Sequence, residues 1–189
     1  MVDDALTQLF LQSRSGLQND FEQVIKKSQH PAYLLAYRLL LDESDAKDMV
    51  QEAYIRAWQH RFNFDGRVKF TTWLYTIINN LCQDRRKAKT RRWRAFEIFH
   101  LWHSDRSSED LEQGLEIKDT AQWISKLADE LPARQQQIFV LRDLQDLDIP
   151  EISVITGQSI GAIKTNLYLA RKYLRQRWNE LQLQEQPHE

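Results

Sequence analysis

The sequence has few of the residues that a disulfide-linked, membrane-spanning or strand-rich protein needs. Its 189 residues include one cysteine, five glycines and four prolines. A single cysteine excludes an intramolecular disulfide and a zinc finger built on cysteines, and it is typical of a reducing compartment. No apolar run approaches the roughly 20 residues of a membrane span, and no basic signal-peptide segment opens the sequence. We therefore expect a cytoplasmic protein without direct membrane insertion.

The residue sets that carry enzymatic chemistry are also missing. We locate no Ser-His-Asp set, phosphate-binding glycine loop or pair of buried carboxylates, so we predict that the protein is not an enzyme. The histidines are scattered except for His100 and His103, whose spacing, with Asp105 nearby, is compatible with zinc ligation. The edge of a linker is a poor scaffold for such a site. We therefore expect no metal, no cofactor and no small-molecule ligand.

The charges are unevenly distributed, although the net charge is only −1. Residues 85–94 hold seven bases and no acid, residues 105–119 hold six acids against two bases, and residues 164–177 are basic again. Two basic patches separated by an acidic segment suggest two contacts with one polyanion. The alternative is two solvated helix faces that happen to be basic.

Hydrophobic periodicity predicts α-helices almost throughout. We expect an all-α fold of two small helical domains joined by a flexible acidic linker, which includes the polar stretch 104–119. The predicted helix starts in the first half are, in chain order, Asn19 or Asp20, Pro31, Ser44 or Asp45, and Thr71 or Thr72.

Residues 149–177 have the layout of a helix-turn-helix that reads DNA. Asp148, with Glu151 three positions later, predicts a capping box on the first helix. Gly157 permits the turn, and Ser159 is a good cap for the second helix. A polar and basic strip runs along that second helix, and Lys164 near its N-terminus suits base edges. The candidate DNA contacts are Ser159, Gly161, Lys164, Thr165, Tyr168, Arg171, Lys172 and Arg175.

Two further blocks point to a more specific function than DNA binding. Residues 45–58 (DAKDMVQEAYIRAW) and 70–86 (FTTWLYTIINNLCQDRR) closely resemble region 2 of the extracytoplasmic-function (group IV) sigma factors of bacterial RNA polymerase. Residues 131–141 (LPARQQQIFVL), with the helix-turn-helix, resemble region 4 of the same family. The resemblance spans nearly the whole chain in the family's order. It implies region 2 in residues 1–94, a linker in 95–119, region 4 in 120–181 and a tail in 182–189.

The resemblance implies two interfaces in region 2. One is a helix face that docks on the clamp helices of the largest polymerase subunit, and its candidate residues are Asp48, Gln51, Glu52 and Arg56. The other holds the −10 element, where stacking and hydrogen bonds offset the cost of flipping a base. Its candidate residues are Phe64, Asp65, Gly66, Arg67, Lys69, Asn79, Asn80, Asp84, Arg85 and Arg86. We expect Phe70 and Trp73 to belong to the core rather than to stack on bases.

The function implied is that of an alternative sigma factor that directs promoter-specific transcription initiation. Its implied partners are core RNA polymerase, promoter DNA at the −10 and −35 elements, and an anti-sigma factor. One alternative is a helix-turn-helix regulator whose N-terminal helices sense a ligand or dimerise, and which binds duplex DNA tightly by itself. A helical adaptor that binds only proteins is another.

The sequence departs from the family pattern at three places. Asp146-Leu147-Asp148 replaces the usual Gly-hydrophobic-Ser/Thr run before the helix-turn-helix. Asn166 and Leu169 stand where relatives often carry a base, which weakens phosphate contact there. Residues 93–102 are unusually aromatic, and we hypothesise that this segment extends the region 2 core or docks on a partner.

Overall fold

The computed structural model describes residues 4–14, 18–102 and 120–184. These residues form α-helices joined by short turns and contain no β-strand, so the predicted all-α class is confirmed. The helices are α1 (Ala5–Ser13), α2 (Gln18–Leu40), α3 (Glu43–Gln59), α4 (Phe70–Trp102), α5 (Thr120–Asp129), α6 (Ala133–Phe139), α7 (Ile149–Thr156) and α8 (Ile160–Gln184). A 3-10 turn covers Arg61–Asn63, and a π-helical turn, Val140–Leu144, continues α6. Among the described helices, none is long and apolar enough to cross a lipid bilayer.

All four of the predicted helix starts differ from the structure. Asn19 and Asp20 lie inside α2, and Pro31 lies within the same continuous helix. The residues after this proline, such as Leu35 and Leu39, are fully buried. Packing of this apolar face offsets the hydrogen bond that proline cannot donate.

The start of α3 also differs from the prediction. Asp42, rather than Ser44 or Asp45, is the N-cap, and its carboxylate accepts from the backbone N–H of Asp45 at 2.8 Å. The Asp45 side chain is bound elsewhere, to cations of α4.

Helix α4 begins at Phe70, which precedes both of the predicted caps, Thr71 and Thr72. Trp73 N–H donates to the carbonyl of Lys69 at 3.1 Å. Thr72 is buried, and its hydroxyl donates to Glu151 of α7 at 3.3 Å. The Thr72 side chain therefore makes a tertiary contact with Glu151 and does not cap α4.

Helices α1 to α4 form the N-terminal domain around a cluster of aromatic rings. Phe10 of α1 lies 4.4 Å from Phe70 and 5.4 Å from Phe64, measured between ring centroids. Trp73 packs on the same rings, at 5.6 Å from Phe10. Phe70 is fully buried and Trp73 partly buried, so both are core residues as expected.

The C-terminal domain holds the predicted helix-turn-helix. Asp148 and Glu151 form the complete capping box, and Gly157 adopts the left-handed conformation with φ 68°. The hydroxyl of Ser159 accepts from Ala162 N–H at 3.3 Å, which caps α8. These local predictions are confirmed.

The two domains pack directly against each other. Helix α7 lies along α4, and the π-helical turn lies on α2. One continuous buried cluster joins Leu74 and Ile78 of α4 to Ile152 and Ile155 of α7. At the edge, Arg38 donates from Nη1 to the carbonyl of Leu144 at 2.5 Å. The chain is therefore in a closed arrangement, in which the two domains are in contact.

Helix α4 continues well beyond the basic patch, to Trp102. Residues 95–102, assigned to the linker from the sequence, are therefore helical. Trp93 is exposed, and the remaining side chains of the aromatic segment, like residues 103–119, lie outside the described part.

Candidate nucleic-acid and protein interfaces

The strip predicted on α8 for DNA contact is on the surface. Its members recur at spacings of three and four residues, which places them on one side of the helix. Tyr168 is 66 % exposed, and Thr165 is held by a hydrogen bond from its hydroxyl to the carbonyl of Gly161 at 3.0 Å. The exposed members are Ser159, Gly161, Lys164, Thr165, Tyr168, Arg171, Lys172 and Arg175.

One member of this strip already has a partner within the chain. Arg171 donates from Nε and Nη2 to the two carboxylate oxygens of Asp143, at 2.9 and 2.5 Å. This two-point contact joins α8 to the π-helical turn. Any phosphate contact by Arg171 competes with Asp143, whereas Lys164 and Arg175 have no such competitor among the contacts described.

The loop between α3 and α4 is shaped by two turns and an aromatic anchor. The Asp65 carboxylate accepts from the backbone N–H of Arg67 at 3.0 Å and lies 3.1 Å from its Nε. Gly66 sits at φ 73°, a conformation that disfavours other residues. Asp65 and Arg67 are exposed and accessible to a ligand.

Phe64 does not belong to the accessible part of this loop. Its side chain is 2 % exposed and packs edge-on against Phe10 and Phe70. The ring is therefore unavailable for stacking on a flipped base in this structure. The expectation that it lines a base pocket is corrected: Phe64 anchors the loop from beneath, since an aromatic ring gains more by burial among its neighbours.

Three of the candidate −10 residues touch the C-terminal domain. Lys69 Nζ lies 2.8 Å from Glu151 Oε1, and this hydrogen-bonded carboxylate raises the pKa of Lys69. Asn79 is 3 % exposed, and its side-chain oxygen accepts from Gln137 at 2.6 Å. Arg86 donates from Nη1 to the side-chain oxygen of Gln136.

The other candidates on α4 differ in their surroundings. Asn80 and Asp84 are exposed. Arg85 donates from Nε and Nη2 to Asp45, which is 4 % exposed. Lys89 Nζ lies 2.7 Å from the other Asp45 oxygen. The hydrogen bond from Arg85, followed by that from Lys89, holds the pKa of Asp45 below its usual value against the opposing effect of burial.

The predicted polymerase face of α3 is largely open. Asp48, Gln51 and Arg56 are exposed, and Glu52 is half-buried, with Oε1 2.7 Å from Arg56 Nε. Beside this face, α2 and α3 enclose a groove of about 1070 Å³ lined by Phe21, Ile25, Tyr33, Ile55 and Trp58, among others. Ile55 is 45 % exposed, so the face combines acids and amides with apolar surface.

Sequence reasoning missed the residues that join the two domains. Gln136 and Gln137 are polar, yet both are buried, and Glu151 was assigned only to the capping box. Nothing local marks them as interface residues, because their partners in the N-terminal domain lie 50 or more positions away. The apolar groove was also missed, although Ile55 on an otherwise polar helix face was a signal for it.

No group that fits a metal ion is found among the residues described. The sequence candidate His100, His103 and Asp105 lies outside the described side chains. Cys82 is fully buried, and burial raises the pKa of its thiol to about 12, which keeps it protonated and unreactive.

Comparison with known families gives one match for each domain. Residues 24–92 match the model of sigma-70 region 2, and residues 121–174 match that of sigma-70 region 4. The chain is 32 % identical over 180 residues to the ECF RNA polymerase sigma factor SigW of Bacillus subtilis (strain 168), with 90 % of this chain and 95 % of that protein covered. It is 26 % identical over 185 residues to the ECF RNA polymerase sigma-E factor of Escherichia coli (strain K12), with 90 % and 94 % covered.

Two solved structures share the fold. The structure of CnrH in complex with the cytosolic domain of CnrY superposes with a TM-score of 0.69 at 22 % identity, covering 94 % of this chain and 99 % of that one. The sigma factor RpoE of Bartonella quintana, in complex with the anti-sigma factor NepR, gives a TM-score of 0.62 at 23 % identity, covering 83 % and 95 %. Both therefore support the two-domain helical arrangement.

Proposed function

The chain belongs to the extracytoplasmic-function sigma factors of bacterial RNA polymerase, and from this membership we propose which of its surfaces meet the polymerase and the promoter. It is an alternative sigma factor that binds core polymerase and directs promoter-specific initiation. It is thus an initiation factor, and we expect it to act in the cytoplasm, where the polymerase and the chromosome are, and not to be an enzyme.

Region 4 contacts the −35 duplex through α8. The exposed strip from Ser159 to Arg175 carries donors suited to DNA, with Lys164 and Thr165 near the helix N-terminus for base edges. Lys172 and Arg175, further along, supply positive charge for phosphates, which position the protein without reading sequence.

Region 2 contacts the polymerase through α3. The exposed residues Asp48, Gln51 and Arg56, with Glu52, form a mixed polar face beside the apolar groove. A face of this kind, with apolar surface bordered by charges, is typical of a specific protein interface.

The −10 element is held by the loop between α3 and α4 and by the exposed side of α4. Asp65 and Arg67 present hydrogen-bonding groups at the loop surface, which Phe64 supports from below. Asn80 and Asp84 are open on α4, whereas Lys69, Asn79 and Arg86 are engaged by region 4 in the closed form. Arg85 contributes charge at the edge of the same surface.

An anti-sigma factor is a further partner of the chain. The Bartonella quintana relative of the same fold was solved bound to one.

The observation that carries the proposal is the presence of both interfaces, in the family's order, on exposed faces of one chain. A DNA-binding regulator would need only the α8 strip, and that function would leave the mixed polar face of α3 unexplained. The alternative of a protein-only adaptor leaves the strip on α8 unexplained.

In vitro transcription tests the proposal directly. Core polymerase is incubated with genomic DNA of the source organism, with and without this chain, and the 5′ ends of the transcripts are sequenced. We expect discrete new 5′ ends that depend on the chain. If the core initiates with a control sigma factor but gains no new start sites from this chain, the proposed function is wrong.

A further inference from the structure

The surface where the two regions meet contains the same side chains that we assign to −10 DNA. Glu151 of α7 receives both Lys69, at 2.8 Å, and the hydroxyl of Thr72, at 3.3 Å. Gln137 of α6 donates to Asn79 at 2.6 Å. Each contact joins a region 2 residue to a polar group of region 4.

A second set of contacts repeats the pattern about two turns beyond Asn79 along α4. Arg86 donates to the side-chain oxygen of Gln136, and its Nη2 lies 3.6 Å from Asp129 Oδ1. Gln136 itself donates to Asp129 at 3.0 Å, which fixes the orientation of its amide. Region 4 thus presents a carboxylate near each of two cations of region 2.

The groups that region 4 supplies are those that a DNA strand would supply. A carboxylate beside Lys69 or Arg86 stands where a phosphate oxygen would lie, because lysine and arginine bind both through charge-assisted hydrogen bonds. An amide donor on the Asn79 oxygen stands where the exocyclic amine of a base would lie. The match is therefore one of chemical type.

From this match we infer that region 4 is an intramolecular mimic of the −10 strand, so that closure of the chain and binding of −10 DNA exclude each other. The inference rests on the proposed function of the −10 surface. It adds the identity of the competitor, which is the side of region 4 formed by α5, α6 and α7 of the same chain.

Burial makes the competition effective. Gln136 is fully buried and Gln137 is 7 % exposed, and an amide buried without a partner is costly. A second amide, Gln158, donates to the Gln137 oxygen at 3.3 Å, so this side chain is satisfied on both sides while the domains are closed. Opening exposes these groups and the apolar residues beside them, and a partner that covers region 2 or region 4 offsets that cost.

The recognition strip of α8 stays open in the closed form. Lys164 and Tyr168 are exposed, and the hydrogen bonds and ion pairs described between region 4 and region 2 come from the segment α5 to α7, including the π-helical turn, and not from α8. The closed chain is therefore blocked at the −10 surface while its −35 surface remains accessible. Because the −10 surface is blocked and the −35 surface is not, mimicry of the −10 strand can be distinguished from a general covering of both DNA-binding surfaces.

Glu151→Gln is a conservative test of the mimic. Glutamine at this position keeps the capping-box hydrogen bond but removes the negative charge beside Lys69. Gln137→Ala removes the donor to Asn79. The matched control is Glu130→Gln, which has the same charge change in region 4 but whose partners, Tyr173 and Arg177, lie on α8.

The full-length chain is labelled at two introduced cysteines, Lys27→Cys on α2 and Asn179→Cys on α8, both at exposed positions. Cys82 is buried and does not react. Energy transfer between the two labels reports closure. Fluorescence anisotropy reports binding of a single-stranded DNA of randomised sequence, and of a random duplex of the same length.

We expect Glu151→Gln with Gln137→Ala to lower energy transfer and to bind the single strand about three- to tenfold more tightly than the control variant. Duplex binding should change equally in both variants, and single-stranded DNA should lower energy transfer in the wild-type chain. Unchanged energy transfer, or a loss of transfer without tighter single-strand binding, overturns the mimic.

Failure of the proposed function gives a different pattern. Arg86→Ala in the opened chain should weaken single-strand binding if α4 is the −10 surface. If Arg86→Ala has no effect and transcription also shows no new start sites, the −10 assignment itself is wrong. If Arg86→Ala weakens binding but opening has no effect, only the mimic is overturned.

Discussion

At the residue scale, the buried carboxylate of Asp45 links α3 to α4 through Arg85 and Lys89. Its pKa is lower in the folded chain than in the unfolded one, chiefly because Arg85 donates to it. Its contribution to stability is therefore fully present above the unfolded value of about 4 and is lost as the pH falls through the lower, folded value.

The first prediction follows from this lowered pKa of Asp45. Asp45→Asn should lower the free energy of unfolding by about 2–3 kcal/mol at pH 7, because two cations lose their shared partner. Urea unfolding at pH 7, 5 and 3 should show the difference from wild type shrinking below pH about 4. Asp84→Asn, at an exposed pair 3.5 Å from Lys87, is the control and should change stability by less than about 0.5 kcal/mol. A difference that is independent of pH would contradict the assignment.

Asp146 carries the second prediction. It stands where the family pattern of the resemblance usually has glycine, and its backbone is in the left-handed conformation with φ 53°. Aspartate tolerates this conformation better than β-branched residues do. Asp146→Val should therefore lower the free energy of unfolding by about 1–2 kcal/mol, whereas Asp146→Gly should not lower it. Its ion pair with Arg142 is solvent-exposed at 3.7 Å and contributes little. Equal effects of both substitutions in urea unfolding would disprove a backbone cause.

At the element scale, α8 combines a buried apolar face with the exposed strip that we propose contacts the −35 element. The third prediction is that Lys164→Ala relaxes discrimination at one position of the −35 element by about 1–3 kcal/mol. Arg175→Ala should weaken binding on all sequences alike, since we propose that Arg175 contacts phosphate. The measurement is transcription by the holoenzyme from a library of −35 sequences. A uniform loss from Lys164→Ala would reassign this residue to phosphate.

Helix α3 gives the fourth prediction. Asp48→Lys with Gln51→Lys should reduce binding to core polymerase by at least about tenfold, because two cations replace neutral and acidic groups on the docking face. Both positions are exposed, so thermal unfolding of the variant should match that of wild type. Glu22→Lys on the exposed side of α2 serves as the control for added charge. Normal core binding by the double variant would place the polymerase contact elsewhere.

At the scale of the whole molecule, closure determines the dimensions of the free chain. A single compact body of 189 residues has a radius of gyration of about 16 Å. The fifth prediction is a small-angle scattering value slightly above this for the wild-type chain, with a larger value after Glu151→Gln and Gln137→Ala. Glu130→Gln should leave the wild-type value unchanged. A profile of two separated bodies in the wild-type chain would contradict the closed form.

The sequence predicted what local chemistry determines and missed what distant partners determine. Asp148, Gly157 and Ser159 were assigned correctly because a capping box and a left-handed turn depend on residues within a few positions. Asp45 and Thr72 were assigned as caps and are not, because Arg85 and Glu151 bind them across 40 and 79 positions.

The candidate sites show the same division. The exposed faces of α3 and α8 could be read from helical periodicity, since burial of the apolar stripe fixes what remains outside. The interface between the regions could not, because Gln136 and Gln137 have the composition of surface residues and become core only through contacts with α4.

The exposed strip of α8 has a consequence for how sigma factors of this family diversify. Lys164, Thr165 and Tyr168 are exposed and support no buried contact of the fold. If α8 reads the −35 element as proposed, mutations at these positions should alter promoter choice with little loss of folding stability. A duplicated gene would then acquire a new set of target promoters through a few substitutions on one helix, while buried residues such as Ile163 and Leu167 keep that helix in place.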